Sequence, residues 1–308
     1  MKVRVSVLVA TLAITTAVAG AQTLVCGRAD QPPAIDAALH DACWSDAMIA
    51  TDFAVLGSAG TQRAFRQTTV RASWDDAALY LHVIALEPDP ASITADVTER
   101  DGTVWLEDAI EIFLLRDTSS ASYLHLIVNA TGTLYDERGT DPTWDSQAQV
   151  SAQIGEQAWQ VEIAIPWTDL GGRPASGDEW GFNVGREHRP ADPREWNTWA
   201  PLADRVVKFG LPEMFGRLRF SDAPEAGRVS GLTPPEGLAI NPDFTARDGD
   251  RPASWGLGSP SSFGEIAPGS GHYFIRNDGD YGIAGQPLDL PVQPGEFFTV
   301  FAVIRGGG

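Results

Sequence analysis

The sequence predicts an all-β fold, an antiparallel β-sandwich, on three observations. Short segments rich in β-formers recur along the chain between turn residues. Several alternate apolar and polar side chains, the period of a strand with one face in a core. No segment sustains the 3.6-residue period of an amphipathic helix.

The elements follow in order. Residues 1–21 are set apart: Lys2 and Arg4 give a basic start, Val5 to Val18 is largely apolar, and Ala19-Gly20-Ala21 offers a small-residue cleavage site. This reads as a secretory signal peptide and predicts a secreted, periplasmic or cell-surface protein. The run is short for a membrane span, and no later stretch approaches about 18 apolar residues, so no span is expected. Cys26 and Cys43 are the two cysteines of the chain. In an exported protein a pair this close predicts a disulfide, worth roughly 3 kcal/mol by loop closure.

Residues 30–50 form a lead-in segment, with one helical turn expected at His40–Trp44. Thr68–Trp74 alternates, placing Val70, Ala72 and Trp74 on one face. Leu79–Leu86 is almost wholly apolar, a central strand ended by Pro88 and Pro90. Strands are expected at 110–115, Ser122–Asn129 and Gly132–Tyr135. Ala148–Ile154 and Ala158–Ile165 make a hairpin about Gly155-Glu156. Pro166–Leu170 suits one helical turn with Pro near its start. Trp180–Val184, Glu195–Trp199 and Arg217–Phe220 complete a domain at residues 22–222. Trp74, Trp159 and Trp180 are in phase with aliphatic strand residues and belong in its core. Residues 223–240, rich in Pro and Gly, read as a linker. A second unit at 241–308 has strand-like runs at His272–Ile275 and Phe297–Ile304. So few strands leave open edges and a thin core, which predicts a domain cut short within a longer, multi-domain protein.

The 308 residues carry a formal charge of −19. That balance excludes a nucleic-acid binder, which needs a basic footprint, and suits a neutral ligand or cations. No G-x-S-x-G, H-E-x-x-H, P-loop or strand-linked G-x-G-x-x-G occurs. The five His, at 40, 82, 125, 188 and 272, show no metal-pair spacing. No carboxylate pair is marked for glycoside chemistry. A non-catalytic chain without an organic cofactor is therefore expected.

The informative stretch is Val104–Asp117. Ile110, Ile112 and Leu114 share one strand face, and Glu111, Phe113 and Leu115 the other. Trp105, six residues before Glu111, is an aromatic near the same end. In Ser122–Asn129, Tyr123, His125, Ile127 and Asn129 oppose Leu124, Leu126 and Val128. Trp105, Trp144, Trp196, Trp199 and Trp255 fall in loops or at strand ends, where binding residues concentrate. An exposed indole suits the C–H-rich face of a sugar ring, with Glu111, His125 and Asn129 as polar partners and Trp199 as a further aromatic. Among the acidic residues Asp89, Asp96, Glu99 and Asp101, the oxygens of Asp96 and Asp101 are candidate Ca²⁺ ligands without EF-hand spacing.

In order along the chain, these pieces resemble carbohydrate-binding module family 9. They are Pro33-Ala34-Ile35-Asp36 with Asp41 and Trp44; Val70, Trp74-Asp75 and Leu79-Tyr80-Leu81; and Trp105 with Asp108-Ala109-Ile110-Glu111-Ile112-Phe113. Trp159 through Trp167, Gly181-Phe182-Asn183-Val184 and Phe215-Gly216-Arg217-Leu218 follow. The resemblance spans about residues 30–221. It implies a sandwich that holds a glycan or polysaccharide between two aromatic side chains, with structural calcium nearby. Trp105 matches the first aromatic and Glu111 a polar ligand. His125 stands where relatives can have Arg, and Phe209 stands where a second Trp is expected. The tail from Asn241-Pro242-Asp243-Phe244 to Pro294–Phe298 resembles the start of a jelly-roll carbohydrate-binding module. Alternative readings are a structural or adhesion sandwich, a haem- or metal-binding relative with His125 as axial ligand, and an enzyme acting on polysaccharide.

Overall fold

The computed structural model describes residues 22–119, 122–189, 195–200, 205 and 207–232, plus strand segments between residues 247 and 285. The signal-peptide segment lies outside the described residues. So do residues 233–240 of the expected linker and most of the jelly-roll-like tail.

Met1–Thr233 forms one compact unit. Its elements are β1 (Thr23–Arg28), α1 (Ala42–Ser45), β2 (Ile49–Thr51), β3 (Ala54–Val55), β4 (Thr68–Trp74), β5 (Ala78–Leu86), β6 (Ala109–Leu115), β7 (Leu124–Asn129) and β8 (Leu134–Arg138). They continue with β9 (Gln149–Ile154), β10 (Ala158–Pro166), β11 (Glu179–His188), β12 (Glu195–Thr198), β13 (Gly216–Ser221) and β14 (Arg228–Ser230).

The main path runs β8-β7-β6-β11-β13-β1-β4-β5-β10-β9. Folded over at β1, it makes the two layers of a β-sandwich. Thr23–Gly27 of β1 pairs in parallel with Arg217–Ser221, while Gly27 and Arg28 pair in parallel with Ser73 and Trp74. β14 also runs parallel to β2. The sheet is therefore mixed, chiefly antiparallel with parallel pairs at β1 and β14. Alternation reports which residues face a core and carries no information on strand direction.

The layers meet through the apolar faces that alternation marks. Ile110, Ile112 and Leu114 join Leu124, Leu126 and Val128 from one layer. Leu79, Leu81, Val83, Val161, Ile163 and Ile165 come from the other. Each such side chain contributes about 1.5–3 kcal/mol by leaving water. Trp74, Trp167, Trp180 and Phe220 pack edge-to-face at 4.9–6.2 Å near one end. Glu87, at the end of β5, pairs with Arg66, Arg186 and His188 and ties β5 to β11.

The outer face of β4–β5–β10 is covered by the lead-in segment. Ile35, Leu39, Cys43 and Trp44 pack on Ala78, Tyr80 and Ala164. Glu162, on the outward face of β10, is fully buried beneath them. It accepts hydrogen bonds from Trp44 Nε1 at 2.8 Å and from the backbone N–H groups of Asp36 and Ala37 at 3.0 Å.

Three local expectations change. Cys26 and Cys43 are free thiols, so the expected disulfide is absent. Cys26 points into the inter-layer core, whereas Cys43 belongs to the lead-in layer on the outer face; a sheet lies between them. Residues 166–170 form a hydrogen-bonded turn rather than a helix. Residues 228–230 of the expected linker are β14, added to the edge of β2.

Pro234–Gly308 clusters as a separate unit. Its described strands form three two-stranded pieces: Arg247–Asp248 with Arg251–Pro252, Gly256–Gly258 with Ile283–Gly285, and Ser261–Glu265 with Tyr273–Asn277.

Candidate functional site

On the outer face of the other layer lies a cleft. β7, β6 and β11 lie side by side in register, with Phe113 opposite His125 and Gly185 opposite Glu111. Their outward residues floor this cleft, of about 340 Å³. It is lined by Glu111, Phe113, Tyr123, His125, Glu137, Glu187, Trp196 and Phe209, with Leu56, Val207, Lys208 and Gly210 at its margins. This volume lies at the lower end for small-ligand sites. A larger cavity of about 650 Å³ borders Arg28, Cys43 and Asp222, but its lining includes no aromatic side chain.

Two glycines let the 207–210 segment lie on the sheet. A methyl group at Gly185 would come within 2.8 Å of the Phe209 ring, and one at Gly210 would collide with the Tyr123 hydroxyl. Asn183, fully buried on β11, anchors the neighbouring chain. Its Oδ1 accepts from Ala200 N and Thr198 Oγ1.

The floor is aromatic. Phe113 stacks on His125 with ring centroids 4.3 Å apart and an interplanar angle of 14°. Tyr123, Phe209 and Phe215 flank Phe113 at 5.6, 6.5 and 5.7 Å. His125 is clamped between two carboxylates: Nε2 lies 2.9 Å from Glu111 and Nδ1 3.0 Å from Glu137. Burial alone would lower the imidazole pKa, but the two carboxylates more than offset it, so the pKa is raised. Glu137, which also accepts from the Tyr135 hydroxyl, is held below the ordinary carboxylate range, first by its bond to His125. Glu187 behaves oppositely. Burial first, and the adjacent Glu111 second, push it up to about 8, against the pull of Arg189 and Trp196. Trp196 Nε1 donates to Glu187 at 3.2 Å, and the Arg189 guanidinium bonds Glu187 and the Trp105 carbonyl.

Of the residues singled out from sequence, Glu111, His125 and Phe209 converge on this cleft. Trp105 does not line it directly. Its ring packs edge-on against Tyr135 at 5.2 Å, and Tyr135 in turn lies 6.4 Å from His125. It ends a row of aromatics that begins at Phe209. Asn129 and Trp199 lie elsewhere. Asn129 is fully buried and spends its amide on Val97 O and Glu107, and its Oδ1 on the 131–133 turn. Trp199 is wholly buried in the inter-layer core, donating to Val229 O. The exposed member of that pair is Trp196, 37 % accessible at the rim. The alternation of β6 and β7 already groups Phe113 with Glu111 and Tyr123 with His125. Glu137 and Glu187 have no such signal; they come in through the pairing of β8 with β7 and of β11 with β6.

Asp101 joins Asp136 and Asp145 in a group whose carboxylate oxygens lie within 4.8 Å of one another. Asp96 stands outside this group. Asp136 is fully buried, and its Oδ1 has no hydrogen-bond partner. Its Oδ2 takes Arg100 at 2.5 Å and Ser146 N at 3.1 Å. Hard oxygens with one unspent buried acceptor fit a divalent cation such as Ca²⁺, and Arg100 already offsets part of their charge.

A family model described as carbohydrate family 9 binding domain-like matches residues 35–223. The chain belongs to this family. A carbohydrate-binding module family 9 from Caldicellulosiruptor kristjanssonii, solved with cellotriose, is 17 % identical, with a TM-score of 0.50. That match covers 72 % of this chain and all of the other. A proposed carbohydrate-binding protein from Bacteroides uniformis is 16 % identical with a TM-score of 0.54, over 65 % of this chain and all of that one. At these identities the likeness shows the shared fold. No curated protein matches the chain.

Proposed function

We propose that this domain is a non-catalytic module of an exported protein, and that the cleft over β7–β6–β11 holds a glycan. The observation that carries the reading is one cleft in which stacked aromatics meet several carboxylates. Trp196 and Phe209 supply apolar walls for a sugar's C–H face, and Phe113 and Tyr123 the floor. Glu111 and Glu137 accept from hydroxyl groups, oriented by His125. Trp105 extends the aromatic row at one end, as the second support for a longer chain. The cellotriose bound to the Caldicellulosiruptor module makes β-linked glucose oligomers the first ligands to try.

Calorimetry with cello-oligosaccharides, xylan and simple sugars tests this. Binding to at least one, weakened by Trp196→Ala, supports it; no binding to any glycan overturns it. The haem alternative is disfavoured because both ring nitrogens of His125 face carboxylates. Asp101, Asp136 and Asp145 are proposed as the ligands of a structural Ca²⁺, which would neutralise three clustered carboxylates and fix the 99–102 turn. Calcium is then expected to raise the melting temperature relative to a chelator, and Asp136→Asn to abolish the difference. No shift with wild type would remove the site. Among the described residues no helix is long and apolar enough to cross a membrane. The segment at residues 1–21 supports export to the periplasm, cell surface or medium.

A further inference from the structure

We propose that the glycan cleft has a subsite for an oxyanion at its Tyr123 end: a pocket between Arg116 and Arg138 that takes a uronate carboxylate or a sulfate ester carried by the bound sugar. This deepens the glycan-binding reading above and rests on it.

The pocket, of about 150 Å³, lies where β6 ends and β7 begins. Arg116, Arg138, Asp169 and Trp180 are among its lining, and Tyr123 lines both it and the cleft. Its volume is below the usual range for a whole ligand, so it suits a substituent of one seated next door.

The two arginines are held in place without a counter-charge. Arg116 Nη1 donates to Leu170 O at 3.0 Å and to Gly172 O at 2.5 Å, and Arg138 Nη2 donates to Asp169 O. Gly171 and Gly172, at φ of 75° and 109°, let one turn bring these carbonyls to both side chains. The Arg116 guanidinium lies 5.3 Å from the Trp180 ring centroid, and that of Arg138 lies 4.4 Å from Trp144. Held by carbonyls and indoles, both guanidiniums have little freedom left to lose when a ligand binds.

The nearby carboxylates are directed elsewhere. Asp169 Oδ2 accepts from Gln147 N at 2.6 Å, Asp117 Oδ1 from Ser119 and Asp141 Oδ1 from Thr143. Among the described residues neither Arg116 nor Arg138 forms an ion pair, whereas eight other arginines each have one. Nε and Nη2 of Arg116, and Nε and Nη1 of Arg138, make no hydrogen bond among those residues. Two planar forks on one pocket match the oxygens of a carboxylate or a sulfate. With Asp169 counted, the lining keeps one net positive charge. The chain's charge of −19 opposes an acidic ligand at long range. Physiological salt screens that field beyond about 8 Å and leaves the choice to the pocket.

The test is calorimetry of the full chain in physiological salt with two matched pairs of probes. They are xylotetraose with and without a glucuronate branch, and cellotetraose with and without a sulfate ester. The acidic member of at least one pair is expected to bind about fivefold more tightly than its neutral parent. A gain in the first pair assigns a uronate, and a gain in the second a sulfate ester. Arg116→Gln and Arg138→Gln should each bring that ratio close to one, while Arg116→Lys keeps part of it. Arg138 is exposed and gives the turn a single bond, so its variant is the one that folding is least able to confuse. Arg173→Gln, which removes a charge outside the pocket, should leave the ratio as in wild type. Equal affinities within both pairs overturn the proposal. So does a gain that survives both glutamine variants, or one lost equally in Arg173→Gln. Those outcomes leave the glycan-binding reading intact. If none of the oligomers binds, that reading fails and this one with it.

Discussion

The two outer faces of the sandwich use the same chemistry for opposite ends. Each carries a histidine on a central strand beside a glutamate: His82 with Glu162 across β5 and β10, and His125 with Glu111 across β7 and β6. On the first face the lead-in segment lies over the pair. Glu162 spends its oxygens on Trp44, Asp36 and Ala37, and His82 is fully buried against the Trp44 ring at 5.6 Å. Desolvation, with Arg71 adding to it, drives the His82 pKa down to about 3, so the ring stays neutral. On the second face nothing comparable covers the cleft among the described residues. The His125 pKa is raised by the same kind of carboxylate neighbour. A covered polar face becomes a structural joint, whereas under the proposed function the other face meets a ligand.

The largest effect that could break this contrast is at the joint. Glu162→Ala leaves three donors without their acceptor, at about 1–3 kcal/mol for each one that stays buried. A loss of at least about 3 kcal/mol is expected in urea denaturation, with the glycan affinity of the folded protein unchanged. A loss of affinity as large as the loss of stability would mean that the two faces are not separate. The next effect depends on pH. The folded His82 pKa lies below the unfolded value of about 6.5, so its contribution to stability is intact above that pH. As pH falls towards 3 the unfolded chain alone takes up the proton, and stability drops by up to about 1.4 kcal/mol per pH unit. His82→Leu should flatten that part of the curve relative to wild type; equal slopes would place His82 in water. At the cleft, Trp196→Ala should weaken glycan binding by roughly tenfold, about 1.4 kcal/mol. Because the ring is at the rim, stability should change by less than about 1 kcal/mol. An unchanged affinity would remove Trp196 from the site.

Much of this arrangement was legible from alternation alone. It separates Ile110, Ile112 and Leu114 from Glu111 and Phe113, and it places His125 opposite the apolar residues of β7. What alternation cannot report is which outer face is covered. His82 and His125 look alike in sequence, each one polar ring in an apolar strand, and only the path of the lead-in segment tells them apart. The same limit explains Asn129, whose polar face is closed over at that end by Val97 and Glu107. It explains Trp199 too: one step past the end of β12, the chain turns the indole into the core and leaves Trp196 outside. The cysteines mislead for a related reason, since nearness in sequence says nothing of the sheet between them.

The two histidines also offer the finest test of the contrast, because their pH dependences have opposite signs. His125 has a folded pKa above its unfolded value of about 6.5. Its proton therefore stabilises the fold fully below that pH, and the contribution is lost as pH rises through the folded value. His125→Gln removes the charge while keeping a side chain able to donate. Relative to wild type, the variant should be close to equal in stability at high pH. It should fall behind as pH drops towards 6.5, with a gap that then stays level until Glu137 itself takes a proton. The His82 variant should instead gain on wild type as the solution becomes more acidic. Denaturant midpoints for both variants, measured from pH 9 to pH 5, check the signs directly. If the His125 variant also gains on wild type with acid, the carboxylate clamp does not outweigh burial. The cleft would then be a second closed joint, and Glu111 and Glu137 would be unable to serve a ligand.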